Sequence, residues 1–277
     1  MLVLRVKCMI YSFRAMFVSP AIFLSLIISF AFFIVPALAA PASADARYIL
    51  SLGGINFASV KISFNDDAKN YSINLGAKIS GVGSLVASGS ATASVSGVSS
   101  SKRLTPNKLS IVTDSRGEKF TVSVAYSKGN AVGFQVTPPL INDMGRVAIE
   151  RKDLQRVTDP IGSFILKGKA FDERLCNQRL KLFSGLERFD VKMKFVEKQI
   201  ATSKRTAYQG PVILCSVRYI PVSGHYVDSG ITKYLAKSNR FLIWYAPLGK
   251  NGHYIPYRVI IGTSAGDLSM VLTGLKL

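Results

Sequence analysis

Two neighbouring residues, Ser223 and His225, have the types needed for nucleophilic catalysis. A serine becomes a nucleophile when a histidine takes its proton and a carboxylate orients that histidine, and Asp228 or Asp267 has the right type for the third role. Neighbours on one strand or turn seldom reach each other in this way. We therefore expect the Ser223-Gly224 step to form a turn or bulge, and we predict no catalytic residues.

Metal and cofactor chemistry find little support in the sequence. Two histidines, His225 and His253, are too few for a usual zinc site unless carboxylates help. Asp66-Asp67 supplies neighbouring carboxylates, but it falls between two predicted strands, where aspartate is typical of a tight turn. The glycine-rich stretch 81–97 has no following Lys-Ser/Thr or helix start. We therefore expect no metal and no cofactor.

Aromatic residues near the end of the chain give the best candidate binding surface. Such side chains can line a groove for sugar rings or a peptide, and the alternative is packing in the core or at a sheet edge. The candidate surface consists of Trp244, Tyr245, Tyr254, Tyr257, Arg258 and His253.

The first 44 residues have the pattern of a secretion signal. Arg5, Lys7 and Arg14 precede an uncharged apolar run, and the A-x-A steps 37–39 and 42–44 follow it. The alternative is an uncleaved membrane anchor, because the apolar run is long enough to span a bilayer. We predict a cleavable signal at 1–44, a single domain at 45–277 and a periplasmic location.

Two cysteines remain after the signal, Cys176 and Cys215, 39 residues apart. This separation is typical neither of a metal knuckle nor of a C-x-x-C redox motif. In an oxidising compartment the simplest account is a structural disulfide, and the alternatives are a buried thiol pair or a redox couple.

The chain is strongly basic, with a formal charge of +19 that falls to +16 without Arg5, Lys7 and Arg14. Such an excess favours anionic partners, although a solvated basic surface is the simpler alternative. Export argues against nucleic acid. We therefore expect an envelope polymer, a lipid or a periplasmic protein as partner, with peripheral contact at an anionic membrane surface.

Period-two alternation of apolar and polar residues dominates the chain and predicts half-buried antiparallel strands. We expect an all-β domain in which a large curved sheet forms an open or spiral barrel, with one or two short helices near 161–166 and 229–237. The small-residue segment 81–101 is either a linker or a strand, and its alternation favours a strand. The predicted strands include 71–79, 120–126, 132–136, 189–195, 213–219, 241–247, 254–262 and 267–276.

The order of short motifs along the chain is its most specific feature. The motifs are Tyr48-Ile-Leu-Ser-Leu-Gly-Gly-Ile55, Ser80-Gly81, Asp159-Pro160, Phe183-Ser-Gly185, Arg188-Phe-Asp190, Tyr208-Gln-Gly-Pro211, Arg218-Tyr-Ile-Pro-Val-Ser-Gly224, Trp244-Tyr-Ala-Pro247 and Ile255-Pro-Tyr-Arg258. Together with the two cysteines, this order resembles a Gram-negative envelope family called domain of unknown function 3108. The resemblance implies a periplasmic β-rich domain without assigned activity, and it supplies no catalytic residues.

These observations lead to one main hypothesis and two alternatives. The main hypothesis is a non-enzymatic periplasmic protein that binds an envelope component or protein partner and supports envelope integrity. The first alternative is a carrier that holds a lipid or another apolar ligand inside the curved sheet. The second is a hydrolase of an envelope polymer, which depends on Ser223 and His225 alone.

Overall fold

The computed structural model describes residues 41–85, 88–140 and 144–277. The predicted signal up to residue 40 therefore lies outside the described residues, and so does the alternative membrane anchor. The first strand begins at Ala42, three residues before the predicted start of the domain. None of the described helices is both long and apolar enough to cross a bilayer.

The described residues form fourteen strands and one α-helix. The strands are β1 (Ala42–Leu52), β2 (Ile55–Asp66), β3 (Asn70–Ile79), β4 (Ser90–Ser99), β5 (Leu104–Ser115), β6 (Glu118–Ser127), β7 (Asn130–Thr137), β8 (Leu166–Lys167), β9 (Arg179–Phe183), β10 (Arg188–Ala201), β11 (Gly210–Ser223), β12 (Phe241–Pro247), β13 (His253–Thr263) and β14 (Gly266–Lys276). The helix α1 spans Gly230–Lys237, and short 3₁₀ helices lie at Gly81–Leu85, Arg151–Leu154, Gly162–Phe164 and Glu173–Leu175.

All fourteen strands belong to one antiparallel sheet that nearly closes into a barrel. The sheet order is β7-β6-β5-β4-β3-β2-β1-β14-β13-β12-β11-β10-β9, with the short β8 paired to β13. Two meanders, β1 to β7 and β9 to β14, therefore meet where β1 pairs with β14. This architecture confirms the all-β, barrel-like prediction.

The alternation in the sequence forms the strands for the expected reason. In β4 every second residue from Ala93 to Ser99 is buried, so the small-residue segment contains a strand rather than a linker. Gly97 is required there, because an added Cβ would lie 2.1 Å from the Thr105 carbonyl oxygen of β5. Two of the turns in the first meander, at 116–117 and 128–129, place both central residues in the left-handed region, as tight hairpins require.

The two edge strands, β7 and β9, do not pair with each other, and the segment 156–158 closes the gap between them. The Val157 amide donates to the Gly129 carbonyl oxygen in the β6–β7 turn at 2.8 Å. On the other side, the Thr158 amide donates to the Lys181 carbonyl oxygen of β9, and the Phe183 amide donates to the Thr158 carbonyl oxygen. The barrel is therefore completed by a non-strand segment.

Side chains fill the space enclosed by the sheet. Leu109 and Leu272 are fully buried, and Tyr48 lies within the same cluster and donates its hydroxyl to the Pro256 carbonyl oxygen at 2.9 Å. A second apolar cluster surrounds the cysteines on β10 to β13 and includes Met193 and Tyr245. Residues from the segment that contains β8 also pack in this second cluster. The strands β10 to β13 contribute buried side chains to both clusters.

The helices follow their capping residues. Ser229 accepts the Thr232 amide and begins α1, as the sequence predicted for 229–237. The helix predicted near 161–166 is only the three-residue 3₁₀ turn Gly162–Phe164. The Asp159 side chain accepts hydrogen bonds from the backbone amides of Ile161 and Gly162. These bonds satisfy the first amides of the turn without extending the helix.

Cys176 and Cys215 form a disulfide, which confirms the prediction from the sequence. Cys176 follows the 3₁₀ turn before β9, and Cys215 lies on β11 opposite Phe195 of β10. Both cysteines are fully buried. The bond therefore fixes the segment before β9 to a strand two positions away in the sheet.

Removing this disulfide should lower the free energy of unfolding. A bond that closes a 39-residue loop restricts the unfolded chain by roughly 4 kcal/mol in the chain-entropy model. We expect the Cys176→Ala/Cys215→Ala variant to unfold at a lower urea concentration than the oxidised protein, which should lose stability when a reductant is added. Unchanged midpoints in both experiments would contradict this prediction.

Candidate functional site

The six residues of the predicted aromatic surface do not form one exposed surface. Tyr245, Tyr254, Tyr257 and His253 are buried. This corrects the expectation for these four residues: Tyr245 and Tyr254 pack in the cluster around the disulfide, whereas Tyr257 packs in the barrel interior. The reason is that β12 and β13 contact the core on both sides, so alternation on these strands does not separate buried from exposed residues.

Two of the six residues remain accessible. The Arg258 guanidinium lies 5.8 Å from the centre of the Trp244 ring, and the Trp244 indole donates to the Gln199 side chain. Tyr254 and His253 also border a small groove of about 240 Å³, where Phe171 stacks on Tyr254. This groove is smaller than most pockets that hold small-molecule ligands, which measure about 300 to 1,000 Å³.

Ser223 and His225 do not form a hydrogen-bonded pair in this structure. The Ser223 hydroxyl and the His225 Nδ1 atom are both buried without hydrogen-bond partners, so they are not bonded to each other. Asp228 pairs with Lys233, and Asp267 pairs with Arg240. The strand β11 ends at Ser223, and Gly224 adopts the left-handed turn that its position requires.

A Gly-x-Ser-x-Gly pattern, which the reasoning from the sequence missed, occurs at residues 262–266. It spans the turn between β13 and β14, with Ser264 exposed at the tip. A nucleophile elbow joins a strand to a helix. Here both flanking elements are strands, so the pattern belongs to a hairpin.

A buried polar cluster, also missed from the sequence, surrounds Asp66 at the end of β2. The Oδ2 atom of Asp66 receives hydrogen bonds from Ser99 Oγ at 2.6 Å, His253 Nε2 at 2.7 Å and Lys167 Nζ at 2.8 Å. The carboxyl group of Asp66 is fully buried, and the Lys167 side chain is almost so. This Asp66 cluster joins the ends of β2 and β4 to β8 and β13.

The charge states of the Asp66 cluster follow from its contacts. Burial raises the pKa of Asp66, but hydrogen bonds from Lys167, Ser99 and His253 outweigh burial and hold that pKa below its ordinary value. Burial and the nearby Lys167 ammonium lower the pKa of His253. At neutral pH the cluster therefore contains an ionised Asp66 carboxylate and a neutral His253 imidazole.

The Lys167 Nζ atom lies 2.7 Å from the Ser99 Oγ atom, a geometry that resembles a serine–lysine catalytic pair. A lysine acts as a base only with a free lone pair, and the Asp66 carboxylate holds the Lys167 ammonium at 2.8 Å. Ser99 donates its own proton to Asp66. Ser99 and Lys167 thus both donate hydrogen bonds to the same Asp66 oxygen.

A groove of about 640 Å³ lies beside this cluster, where the closing segment meets β9. Four separated parts of the chain build it: the β4–β5 turn with the start of β5, the β6–β7 turn, the segment 156–167, and residues 178–181. We call it the basic groove. It forms because the barrel closes through an irregular segment, which leaves a depression that a directly paired strand would fill.

The basic groove is rich in cations. Seven of its 19 lining residues are Lys or Arg, and no Asp or Glu lines it in the part of the chain that the structure describes. Lys167 pairs with Asp66, and Arg179 pairs with Asp190. The other five have no carboxylate partner among the described residues: Lys102, Arg103, Lys128, Arg156 and Lys181.

The backbone at Arg156 is unusual and lies at the edge of the basic groove. Its φ of 52° is in the left-handed region, which residues other than glycine rarely adopt. The Asn130 side chain accepts the Arg156 amide at 2.9 Å and holds this conformation. Backbone strain of this kind collects at functional sites, which favours a role for this position.

Asp159 lies directly behind the groove wall. It is buried, and its Oδ2 atom and the hydroxyl of Tyr71 lack hydrogen-bond partners. Both atoms face Gly162, a lining residue of the groove, because an added Cβ there would lie 2.9 Å from Oδ2 and 3.3 Å from the Tyr71 hydroxyl. Burial raises the pKa of Asp159 to about 6.

Disrupting the Asp66 cluster should destabilise the protein in a pH-dependent manner. Lys167→Met leaves the buried carboxylate without a cation, and we expect a loss of about 3 to 5 kcal/mol at pH 7. The Asp66→Asn/Lys167→Met double variant should lose less than Lys167→Met, because no unpaired charge remains. A double variant that loses as much as Lys167→Met would contradict this assignment.

The folded pKa of Asp66 lies below its ordinary value of 3.8, so the stability that ionisation contributes is present above this pH. It is lost as the pH falls through the folded pKa. The difference in unfolding free energy between wild type and Asp66→Asn should therefore shrink below pH 3.8.

The ionisation of Asp159 should change the free energy of unfolding in the opposite direction with pH from that of Asp66. Because its pKa rises from 3.8 to about 6 on folding, stability is lost as the pH rises through this window. The free energy of unfolding of the Asp159→Asn variant should be up to about 3 kcal/mol higher than that of wild type at pH 7, and equal to it near pH 4. The exposed Asp45→Asn is the control, and an equal gain at both pH values would exclude ionisation as the cause.

Three comparisons place the chain among known proteins. A solved structure, the crystal structure of a beta-barrel-like protein of domain of unknown function DUF1849 from Brucella abortus, is similar to this chain with a TM-score of 0.49 and 13% identity, over 85% of this chain and 98% of that one. No curated protein matches the chain. A family model described as "Protein of unknown function (DUF3108)" matches residues 47–273, so this protein belongs to that family, as the order of its motifs indicates.

Proposed function

We propose that this protein is a non-enzymatic component of the cell envelope that binds a phosphate-bearing envelope molecule in the basic groove. The observation that carries the proposal is the composition of the groove, in which seven of 19 lining residues are cationic. In the whole chain only 35 of 277 residues are Lys or Arg. The groove thus concentrates the positive charge and excludes carboxylates from its lining.

Phosphate is the group that suits this arrangement best. It carries more charge than a carboxylate and accepts hydrogen bonds from several donors at once. Arg103 and Arg156 offer planar guanidinium donors, and Thr158 adds a hydroxyl group in the same lining. Leu104 and Leu180 lie between the cations and are half-buried, so the groove also offers apolar contact to the rest of a ligand.

The envelope location is part of the same proposal. The disulfide supports it, since such bonds persist in oxidising compartments. The signal-like pattern at 1–44 supports it as well. The carrier alternative is less favoured because apolar side chains fill the barrel interior, and the hydrolase alternative is less favoured because Ser223 and His225 are not bonded to each other.

Binding of inorganic pyrophosphate tests the proposal on the isolated protein. Wild type should bind pyrophosphate with heat detectable by titration calorimetry. The Arg156→Gln/Lys181→Gln variant removes two cations from the groove and should bind at least about tenfold more weakly, a loss of about 1.4 kcal/mol.

A matched control removes the same charge elsewhere. Lys192 and Lys194 are exposed on β10 and do not line the basic groove. The Lys192→Gln/Lys194→Gln variant should bind pyrophosphate nearly as well as wild type. Equal weakening in both variants would assign binding to net charge, and the proposed role of the groove would then be wrong.

A further inference from the structure

A second exposed feature lies on α1, on the loop before it and on the neighbouring segment that begins at Met144. Five apolar or aromatic side chains are exposed there: Met144 at 84%, Ile231 at 74%, Val227 at 55%, Tyr226 at 46% and Tyr234 at 41%. We call these five residues the α1 patch. Contiguous exposed apolar side chains mark interaction sites more often than single ones do.

Hydrogen bonds hold the members of the α1 patch together. The Val227 amide donates to the Gly145 carbonyl oxygen at 2.8 Å, which places Val227 beside Met144. An antiparallel bridge pairs Arg146 with Tyr226. The Ser229 amide then donates to the Tyr226 carbonyl oxygen, directly before the helix begins. The patch is therefore a defined surface rather than a set of loose side chains.

The helix presents two kinds of side chain to solvent. Thr232 is buried, and Leu235 and Ala236 are half-buried on the same face, as their spacing requires. Ile231 and Tyr234 lie three residues apart on one exposed flank. Lys233 and Lys237 lie four residues apart on the neighbouring exposed flank. Apolar and basic groups therefore run side by side along α1.

The charge around the α1 patch points to an anionic partner. Across 144–147 and 222–237 the single acidic residue is Asp228, which pairs with Lys233. In the described part of the chain no carboxylate pairs with Lys237. Protein interfaces are depleted of lysine at their cores, whereas surfaces that bind lipid combine lysine with aromatic and aliphatic side chains.

We infer that the α1 patch docks on an anionic lipid bilayer. Ile231, Tyr234 and Val227 enter the boundary between headgroups and acyl chains, and Lys233 and Lys237 contact lipid phosphates. This contact is shallow and peripheral. It uses residues outside the basic groove, so it holds or fails independently of the proposed function.

Tryptophan quenching tests this inference at the level of single positions. The chain has one tryptophan, so the Trp244→Phe background is silent and accepts a reporter. In that background Tyr234→Trp should be quenched by phosphatidylglycerol vesicles with brominated acyl chains. Ile200→Trp is the matched control, because Ile200 is 66% exposed and pairs with Pro211, at the end of β11 opposite to the one that leads into the α1 loop, and it should not be quenched. Circular dichroism confirms that each variant is folded.

A second pair of variants tests the energy of docking. Val227→Ser/Ile231→Ser should lower vesicle co-sedimentation by about tenfold. Arg156→Gln/Lys181→Gln, which changes the basic groove, should leave quenching at Tyr234→Trp unchanged. Equal quenching at both reporters, or quenching at neither, overturns the inference. A dimer in light scattering that disappears in the serine variant also overturns it, in favour of a second copy of the chain.

Discussion

An antiparallel sheet that curves toward closure must do something with its two edge strands, because unpaired edges invite association with other chains. Here β7 and β9 are kept apart, and the segment 156–158 donates and accepts the hydrogen bonds that lie between them. Side chains reinforce this seam: the Phe134 and Phe183 rings meet edge to face, and the Tyr126 hydroxyl donates to the Phe183 carbonyl oxygen. The closing segment therefore forms hydrogen bonds to both sides of the opening, at the β6–β7 turn and at β9.

The same closing segment also forms part of the basic groove. Because it is irregular, it leaves a depression instead of a continuous wall, and it contributes Arg156 and Ser163 to that depression. The Asp66 cluster fixes one end of it by holding Lys167 on β8. A buried ion pair adds little net stability compared with apolar packing, but it defines one arrangement of the chain around it. We infer that the cluster sets the shape of the groove wall.

Much of the fold follows from local sequence. The alternation in β4 and β6 reports which residues are buried, and the serine before α1 reports where the helix begins. Only two cysteines follow the predicted secretion signal, so the sequence also predicts which cysteines pair. These features depend on neighbours along the chain, which is why residue spacing is sufficient to find them.

The site depends on distant contacts, and spacing does not report these. Asp66 and Asp67 both serve the predicted turn: Asp66 accepts the Ala68 amide, and Asp67 accepts the amides of Lys69 and Asn70. The turn pattern does not report that the second carboxylate oxygen of Asp66 is buried in a polar cluster. The burial of Asp66 is decided by Lys167, about a hundred residues away. The groove cations likewise come from four separate parts of the chain. The exposure of the aromatic residues on β12 and β13 was overestimated because a sequence does not show that a strand is covered on both faces.

The pairing of β1 with β14 has a consequence for how the molecule is made. These strands share eight residue pairs at the centre of the sheet, yet they lie more than two hundred residues apart along the chain. Contacts of such separation form late, because a long loop must close first. If the chain is threaded across a membrane from its amino terminus, the two meanders can form separately, but they cannot join until the last strand has crossed. In a chain made in this order, the topology delays completion of the barrel until β14 can pair with β1.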